Sequence, residues 1–242
     1  MSYQNRYECK FVVSEAVAGR VLQRVLLHVD PDPHAAAHTD LGYPIASLYL
    51  DDELGSFYQE TVEGRRERYK LRVRSYSDDP ATPVWLEVKR RVDGVVQKQR
   101  GPLPRDELAA VLAGDEQVLT RLPAADRPAV AEFIRLCRQR RAAPRCLVRY
   151  QRQAFVGRDD RDVRITFDRR LAAAVCHDAI VPLRDPRYVE VPTGGVVLEL
   201  KFDDREPRWL NELVQQVELR RRSFSKYCNS LDSLQPITRR QG

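Results

Sequence analysis

The sequence lacks any run of apolar residues approaching the ~18 that a membrane-spanning helix needs. Its first residues, MSYQNRYECKF, contain no apolar segment of the kind found in secretory signals. The five cysteines are an odd number and form no CxxC pair and no metal-ligand spacing, which indicates structural thiols in a reducing compartment. These absences predict a soluble, cytoplasmic protein.

Sequence motifs for the common nucleotide-binding and covalent chemistries are also missing. There is no P-loop, no GxGxxG fingerprint and no arrangement typical of a catalytic triad. The chain does have 242 residues, of which 43% are hydrophobic, so it can build a substantial core. Its 41 Lys and Arg exceed its 35 Asp and Glu, giving a net charge of +6. This surplus suits a polyanion, whether nucleic acid, anionic lipid or a phosphorylated small molecule.

Basic residues concentrate on one face of the strands predicted between residues 65 and 100. With the two-residue period of a β-strand, charged residues there alternate with apolar ones such as Leu71 and Val88. The charged face carries Lys70, Arg72, Arg74, Glu87, Lys89, Arg91, Lys98 and Arg100. Asp93-Gly94 is typical of a tight turn before the last of these strands. Because like charges on neighbouring strands repel, this face is expected to bind an anion.

Similar alternation recurs along the chain and predicts about eight strands in all. Further strands are expected at residues 6–13, 45–51, 56–63, 146–157, 161–171 and 196–202. Helices are expected after Ser14, within an interlude at about 105–141, after Pro207 and in FSKYCNSLDSL. The segment DPDPHAAAHTD is predicted as a solvated loop, because His34 and His38 follow two prolines and lack a third metal ligand. A frayed tail is expected from about Pro236.

The charged faces of the strands favour a closed barrel over an isolated sheet. We predict an α+β fold in which about eight antiparallel strands close into a tunnel. Charged residues would line a wet interior, and helices would cover the apolar outer faces. The prediction is of a single domain over residues 1–242 that encloses a polyanion.

In their order along the chain, the charged motifs resemble those of the triphosphate tunnel metalloenzymes, and among these the VTC-type polyphosphate polymerase domain. The resemblance covers nearly the whole chain. It rests on Glu8-x-Lys10, KLRVR, LEVKR, Tyr150-x-Arg152-x-Ala154-Phe155, VRITFD, LELKF and Phe224-Ser225-Lys226-Tyr227. The sequence Glu8-Cys9-Lys10 is one acid short of the ExExK pattern favoured by the CYTH branch.

The resemblance implies roles for individual residues. Catalytic contacts to phosphate are expected from Lys10, Arg72, Arg74, Arg152, Arg164 and Lys226. Substrate binding is expected from Lys70, Lys89, Lys98, Lys201, Ser225 and Tyr49. A divalent ion, Mn²⁺ or Mg²⁺, is expected on Glu199, assisted by Glu8 and Glu87, which could instead only neutralise nearby bases. Asp168 is expected only to cap the end of its strand.

The function implied by the resemblance is metal-dependent transfer of the terminal phosphate of ATP, or another nucleoside triphosphate, to a growing polyphosphate chain. Inorganic triphosphate and polyphosphate are expected as further ligands. A tripolyphosphatase or nucleoside triphosphatase is the alternative enzyme, and a non-catalytic polyphosphate- or inositol-phosphate-binding module is the alternative from another class. Nucleic-acid binding is disfavoured, because the bases alternate along strands rather than lying beside stacking aromatics. The oligomeric state and any membrane-bound partner stay open.

Overall fold

The computed structural model describes residues 6–38, 42–92, 95–160, 162–203 and 205–234. Within them lie ten β-strands, with bounds β1 Arg6–Val13, β2 Val29–Pro31, β3 Gly42–Asp51, β4 Arg68–Ser75, β5 Val84–Val92, β6 Val95–Leu103, β7 Ala143–Gly157, β8 Arg164–Val175, β9 Val189–Glu190 and β10 Val196–Asp203. Eight α-helices are described, α1 Glu15–Val25, α2 Pro33–Ala36, α3 Ser56–Val62, α4 Leu108–Leu112, α5 Val118–Arg121, α6 Arg127–Arg140, α7 Arg208–Gln216 and α8 Lys226–Leu234, with a 3-10 helix at Arg105–Glu107. The Asp93-Gly94 turn and the tail from Pro236 lie outside the described residues.

The strands form one large antiparallel sheet, which confirms the α+β class. Its hydrogen-bonded order is β1-β10-β8-β7-β3-β4-β5-β6, with β2 paired to β7 and β9 paired to β8. In the part of the chain that the structure describes, β1 and β6 end this order and the sheet is not closed. The predicted closed barrel is therefore not confirmed.

The chain divides into two compact units, each assembled from three segments. Unit 1 comprises Met1–Pro44, Tyr150–Leu171 and Pro192–Phe224, and unit 2 comprises Ile45–Arg149, Ala172–Val191 and Ser225–Gly242. Each unit has its own hydrophobic core. None of the described helices is both long enough and apolar enough to cross a membrane.

The core of unit 1 lies between α1 and one face of β1, β8 and β10. Helix α1 is capped by Ser14, whose hydroxyl accepts a hydrogen bond from the Val17 N–H at 3.3 Å. Its buried residues recur at helical spacing, so a single stripe faces the strands. The buried set includes Ala18, Val21 and Val25 from α1, with Phe11, Ile165, Phe167, Leu198 and Leu200 from the strands. The other face of these strands is left for the charged residues.

The core of unit 2 lies between the basic strands and the helices of the interlude. Leu71 and Val73 of β4 and Leu86 and Val88 of β5 point into it, as their two-residue spacing predicts. Helix α6 contributes Val130, Phe133, Ile134 and Cys137. All five cysteines of the chain are buried and free, and burial raises the pKa of Cys137 to about 12.

A helix, α3, stands where the alternating pattern predicted a strand at 56–63, so that prediction was wrong. Asp51 accepts hydrogen bonds from the backbone N–H groups of Phe57 and Tyr58 at 2.8 and 3.0 Å, and Asp52 accepts one from Ser56 at 2.8 Å. These carboxylates satisfy the free amides of the first helical turn. Gly55, which directly precedes α3, adopts a left-handed conformation with φ of 70°, which glycine tolerates without strain.

The segment predicted as a solvated loop is also more ordered than expected, because it contains β2 and α2. Asp32 is the N-cap of α2, with Pro33 at the first helical position. Its Oδ1 accepts a hydrogen bond from the Ala35 N–H at 2.7 Å. His34 packs near the Tyr43 ring, with a centroid distance of 5.7 Å. Residues 39–41 lie outside the described residues.

Candidate active site

The charged face of unit 1 is built by three neighbouring strands with alternating acids and bases. In the pairing of β1 with β10, Lys10 lies opposite Glu199 and Glu8 lies opposite Lys201. In the pairing of β10 with β8, Lys201 lies opposite Arg164. Residues directly opposite one another on antiparallel strands share a face, so these side chains come together.

Glu199 lies at the centre of this face and is buried, with 5% of its side chain exposed. Lys201 Nζ donates a hydrogen bond to Glu199 Oε2 at 2.6 Å. Lys10 Nζ lies 3.6 Å from Oε1, and Arg152 Nη2 lies 3.8 Å from Oε2. Desolvation lowers the pKa of Lys201 to about 8, although the Glu199 carboxylate opposes this shift. We call Glu8, Lys10, Arg152, Asp168, Glu199 and Lys201 the Glu199 cluster.

Arg152 is held by Asp168 in a buried, bidentate ion pair. Its Nε and Nη2 donate to the two carboxylate oxygens, both at 2.7 Å. Burial works to lower the pKa of Arg152, but the Asp168 carboxylate outweighs it and holds that pKa well above its usual value. Asp168 therefore does more than cap its strand. The missed signal was its position on β8, on the same face as Arg164.

Two carboxylates converge on Lys10. Its Nζ lies 3.1 Å from Glu8 Oε1 as well as 3.6 Å from Glu199 Oε1, and it donates to the backbone oxygen of Phe224 at 3.0 Å. Among the described residues, no three His, Cys, Asp or Glu side chains form a group that could hold a metal alone. Glu8 and Glu199 nevertheless fit a divalent ion of the Mg²⁺ type, which commonly takes one or two protein carboxylates and completes its shell with substrate phosphates and water.

The charged face of unit 2 centres on Glu87 of β5, whose side chain is 1% exposed. Arg72 approaches one carboxylate oxygen, with Nη2 at 2.6 Å and Nε at 2.7 Å. The other oxygen lies 3.4 Å from Arg74 Nη1, 3.3 Å from Lys98 Nζ and 3.7 Å from Arg100 Nε. We call Arg72, Arg74, Glu87, Lys98 and Arg100 the Glu87 cluster. One acid thus faces four bases, whereas the Glu199 cluster matches three acids with three bases.

The surroundings of Glu87 shift both its own pKa and that of the neighbouring Lys98. Burial works to raise the pKa of Glu87, but Arg72, Arg74 and Lys98 hold it well below its usual range. Desolvation lowers the pKa of Lys98 to about 7, against the attraction of Glu87. The side chain of Lys98 is nonetheless 47% exposed, so its ammonium group can meet a ligand.

A row of three lysines runs across the same strands of unit 2. Lys70 of β4 lies opposite Lys89 of β5, which in turn lies opposite Lys98 of β6. Lys70 Nζ donates to the Ser225 hydroxyl at 2.9 Å. Like charges placed directly opposite one another destabilise a sheet. This row therefore fits an anion better than it fits an empty surface.

Ser225 and Lys226 lie in unit 2 at the start of helix α8, beside a buried tyrosine pair. The hydroxyl of Tyr227 donates to Asp51 Oδ2 at 2.6 Å, and its ring stacks on Tyr49 with centroids 5.1 Å apart. The Tyr49 hydroxyl accepts a hydrogen bond from Arg72 Nη1 at 3.0 Å. Lys226 is 8% exposed at the start of the helix. The predicted residues Tyr49, Arg72, Ser225 and Lys226 thus belong to one unit, which sequence distance alone did not show.

Arg164 and its partner Asp32 complete the charged face of unit 1. Arg164 Nη2 donates to Asp32 Oδ2 at 2.7 Å. Asp32 was missed because its segment was predicted to be solvated loop. The signal that could have found it is the Asp-Pro pair, which is typical of an N-cap followed by the first residue of a helix.

Comparison with known proteins agrees with this architecture. A protein described as a candidate adenylate cyclase from Bacillus halodurans superposes with a TM-score of 0.50 at 8% identity, covering 91% of this chain and 95% of that one. A candidate adenylyl cyclase from Hippeastrum, described as having a dominant triphosphatase activity, gives 0.48 at 12% identity and covers 93% and 95%. At 8% identity, the likeness to the Bacillus halodurans protein shows the fold alone. A search of curated proteins gives no match.

The family is shown by the sequence. The model of the VTC domain matches residues 5–235, which is nearly the whole chain. The chain therefore belongs to the VTC domain family, and the resemblance inferred from its ordered motifs is confirmed.

Proposed function

We propose that this protein is a metal-dependent polyphosphate polymerase, which transfers the terminal phosphate of ATP or another nucleoside triphosphate to a polyphosphate chain. The observation that carries the proposal is the buried Glu199 carboxylate, set among Lys10, Arg152 and Lys201 on a strand face. Such an acid repels a polyphosphate unless a cation lies between them. Membership of the VTC domain family supports the same chemistry.

The residues of the Glu199 cluster divide the work of this site. Glu8 and Glu199 would hold the divalent ion, Mn²⁺ or Mg²⁺, which when bound neutralises charge on the phosphoryl oxygens. Lys10 and Lys201 would exchange their carboxylate contacts for phosphate oxygens. Arg152, fixed by two hydrogen bonds to Asp168, would present its guanidinium without reorganising.

The Glu87 cluster and the lysine row would bind the anionic chain. Phosphoryl transfer depends mostly on positioning and charge neutralisation, so fixed cations contribute directly to the rate. Arg72 is oriented by Glu87 and Tyr49 before any substrate binds. We assign Glu87 the role of counter-ion rather than metal ligand, because four bases already surround it.

The proposal also includes a closed tunnel, a single domain over 1–242 and a cytoplasmic location. Its expected ligands are ATP, inorganic triphosphate and polyphosphate. The family match over residues 5–235 supports the single domain. The five buried free thiols support a reducing compartment. A hydrolase of the same family is the alternative, since water could replace the growing chain as acceptor.

Substitution of Glu199 separates an enzyme from a binding module. We expect Glu199→Gln to abolish metal-dependent turnover of ATP. Calorimetry should still detect tripolyphosphate binding, because the substitution removes a negative charge that repels the ligand. Glu15→Gln is the matched control, since Glu15 forms an exposed ion pair with Arg169 at 3.0 Å in the same unit. If Glu199→Gln kept both its turnover and its dependence on Mn²⁺, Glu199 would be a simple counter-ion and the proposed role of the metal would be wrong.

A further inference from the structure

Arg164 is a predicted phosphate contact whose carboxylate partner comes from the segment that the sequence predicted to be a solvated loop. Its partner, Asp32, is only 2% exposed. We propose that Asp32 is a positioning residue, which fixes the guanidinium of Arg164 so that its remaining donors can bind a phosphate oxygen. This inference rests on the proposed function, because it assumes that unit 1 binds a polyphosphate.

Asp32 is itself held rigidly. Its backbone N–H donates to the Ala154 oxygen at 2.9 Å, which extends the pairing of β2 with β7 by one residue. Oδ1 accepts from the Ala35 N–H at 2.7 Å, and Oδ2 accepts from the Tyr43 hydroxyl at 3.3 Å. The carboxylate is therefore anchored by groups other than Arg164. A buried, fixed charge of this kind can set the orientation of a flexible partner.

Arg164 keeps unused hydrogen-bonding capacity. Its hydrogen bond to Asp32 uses Nη2, while Nε is itself buried and has no hydrogen-bond partner among the residues that the structure describes. The side chain is 37% exposed, in contrast to 8% for Arg152. An arginine held at one nitrogen, with more than a third of its side chain still exposed, is pre-organised to donate to an oxyanion, which reduces the entropy lost on binding.

The position of Arg164 on β8 places the Asp32–Arg164 pair at the charged face of unit 1. It lies opposite Lys201 in the pairing of β10 with β8, and Lys201 contacts Glu199. Two bases directly opposite each other repel, and an anion bound between them would remove that repulsion. Asp32 approaches from β2 and α2, outside the three strands that form the face.

The proposal predicts a change in binding affinity opposite to the one expected from net charge alone. Removing an acid near a polyanion site should strengthen binding if only net charge matters. If Asp32 positions Arg164, Asp32→Asn should instead weaken binding of tripolyphosphate by roughly tenfold, the lower end of the losses seen when partners that orient a ligand-binding group are removed. Asparagine caps helices as well as aspartate does, so the Ala35 hydrogen bond survives.

The test is a double-mutant cycle measured by calorimetry with inorganic tripolyphosphate and Mg²⁺ at fixed ionic strength. It compares wild type, Asp32→Asn, Arg164→Ala and the double variant. We expect the double variant to bind no more weakly than Arg164→Ala alone, because Asp32 acts only through Arg164. Asp30→Asn is the control, since Asp30 forms an exposed pair with Arg158 at 2.9 Å in the same segment, and it should bind like wild type.

Three results would overturn the inference: tighter or unchanged binding by Asp32→Asn, losses that multiply in the double variant, or a wild type that does not bind tripolyphosphate. Thermal midpoints without ligand identify any unfolded variant, and Asp32→Ser, which also retains a capping oxygen, then replaces Asp32→Asn. Failure of the proposed function is distinguishable. A wild type that binds tripolyphosphate and shows the coupling, but never turns over ATP, leaves the role of Asp32 standing and removes the polymerase.

Discussion

Glu87 offers the sharpest test of how unit 2 balances its charges. The variant Glu87→Gln preserves the shape of the side chain and removes the one acid among Arg72, Arg74, Lys98 and Arg100. Removing one partner of a buried ion pair typically costs about 3–5 kcal/mol, because the other charge is left without compensation. Lys98 and Arg100 are 47% and 32% exposed, and water can solvate them in the variant.

We therefore expect the lower end of that range, about 3 kcal/mol, for Glu87→Gln. For a chain of this size, each kcal/mol shifts the melting temperature by about 2–4 °C, so the expected fall is about 6–12 °C. Differential scanning calorimetry at pH 7 measures it. Glu67→Gln is the control, because Glu67 pairs with Arg90 on the surface at 2.5 Å and should leave the melting temperature unchanged.

A polyanion should partly rescue the variant. Tripolyphosphate binds the folded state and takes over the neutralisation of the four bases, so it should raise the melting temperature of Glu87→Gln more than that of wild type. The pH dependence follows from the depressed pKa of Glu87. Its contribution to stability is fully present above about pH 4.5 and is lost as the pH falls through the lower folded-state pKa. The gap between wild type and variant should therefore narrow in acid.

Two results would refute this reasoning. A melting temperature for Glu87→Gln equal to that of wild type would show that the four bases do not need this acid. A stable variant that binds tripolyphosphate but has lost its response to Mn²⁺ would show instead that Glu87 is a metal ligand.

Three further predictions concern single side chains. Arg74→Ala should lower turnover by roughly two to three orders of magnitude, as loss of a pre-organised electrostatic contact does. Arg90→Ala is the control, because Arg90 pairs with Glu67 on the surface, and equal activity in both variants would contradict the prediction. Lys98, with a pKa lowered to about 7, should take up a proton when a polyanion binds above pH 7, because the ligand stabilises the charged form of the lysine. Calorimetry in two buffers of different ionisation enthalpy should detect this proton uptake in wild type and not in Lys98→Gln. Identical proton uptake by the two proteins would exclude the prediction. Tyr227→Phe should destabilise the protein by about 1–3 kcal/mol because it removes a donor from a buried carboxylate. Denaturant unfolding should show a smaller loss of stability for Tyr58→Phe, whose hydroxyl hydrogen bond is exposed. Equal losses of stability in the two variants would argue against a special role for the buried pair.

The faces of the basic strands could be predicted from the sequence because they depend on a local, two-residue period. Leu71 and Val88 lie in the core and Arg72 and Glu87 on the opposite face, as the alternation requires. The family could be recognised for a related reason, since its motifs are short strand segments in a fixed order.

The pairing of charges could not be predicted, because it depends on which strands become neighbours. Lys10 meets Glu199 only because β1 pairs with β10, and Arg152 meets Asp168 because β7 and β8 are neighbours in the sheet. Helix α3 was missed for another reason. Its amides are satisfied by Asp51, a residue outside the window over which a strand period is read.

The central claim, that this VTC domain protein extends polyphosphate chains, is tested most directly by incubating it with ATP and Mn²⁺ or Mg²⁺ and resolving the products on a gel. Glu199→Gln serves as the inactive control. We predict a ladder of polyphosphate chains that depends on the metal and is absent in the control. Release of orthophosphate without a ladder would contradict the polymerase and identify a hydrolase, and the absence of any turnover would leave a binding module.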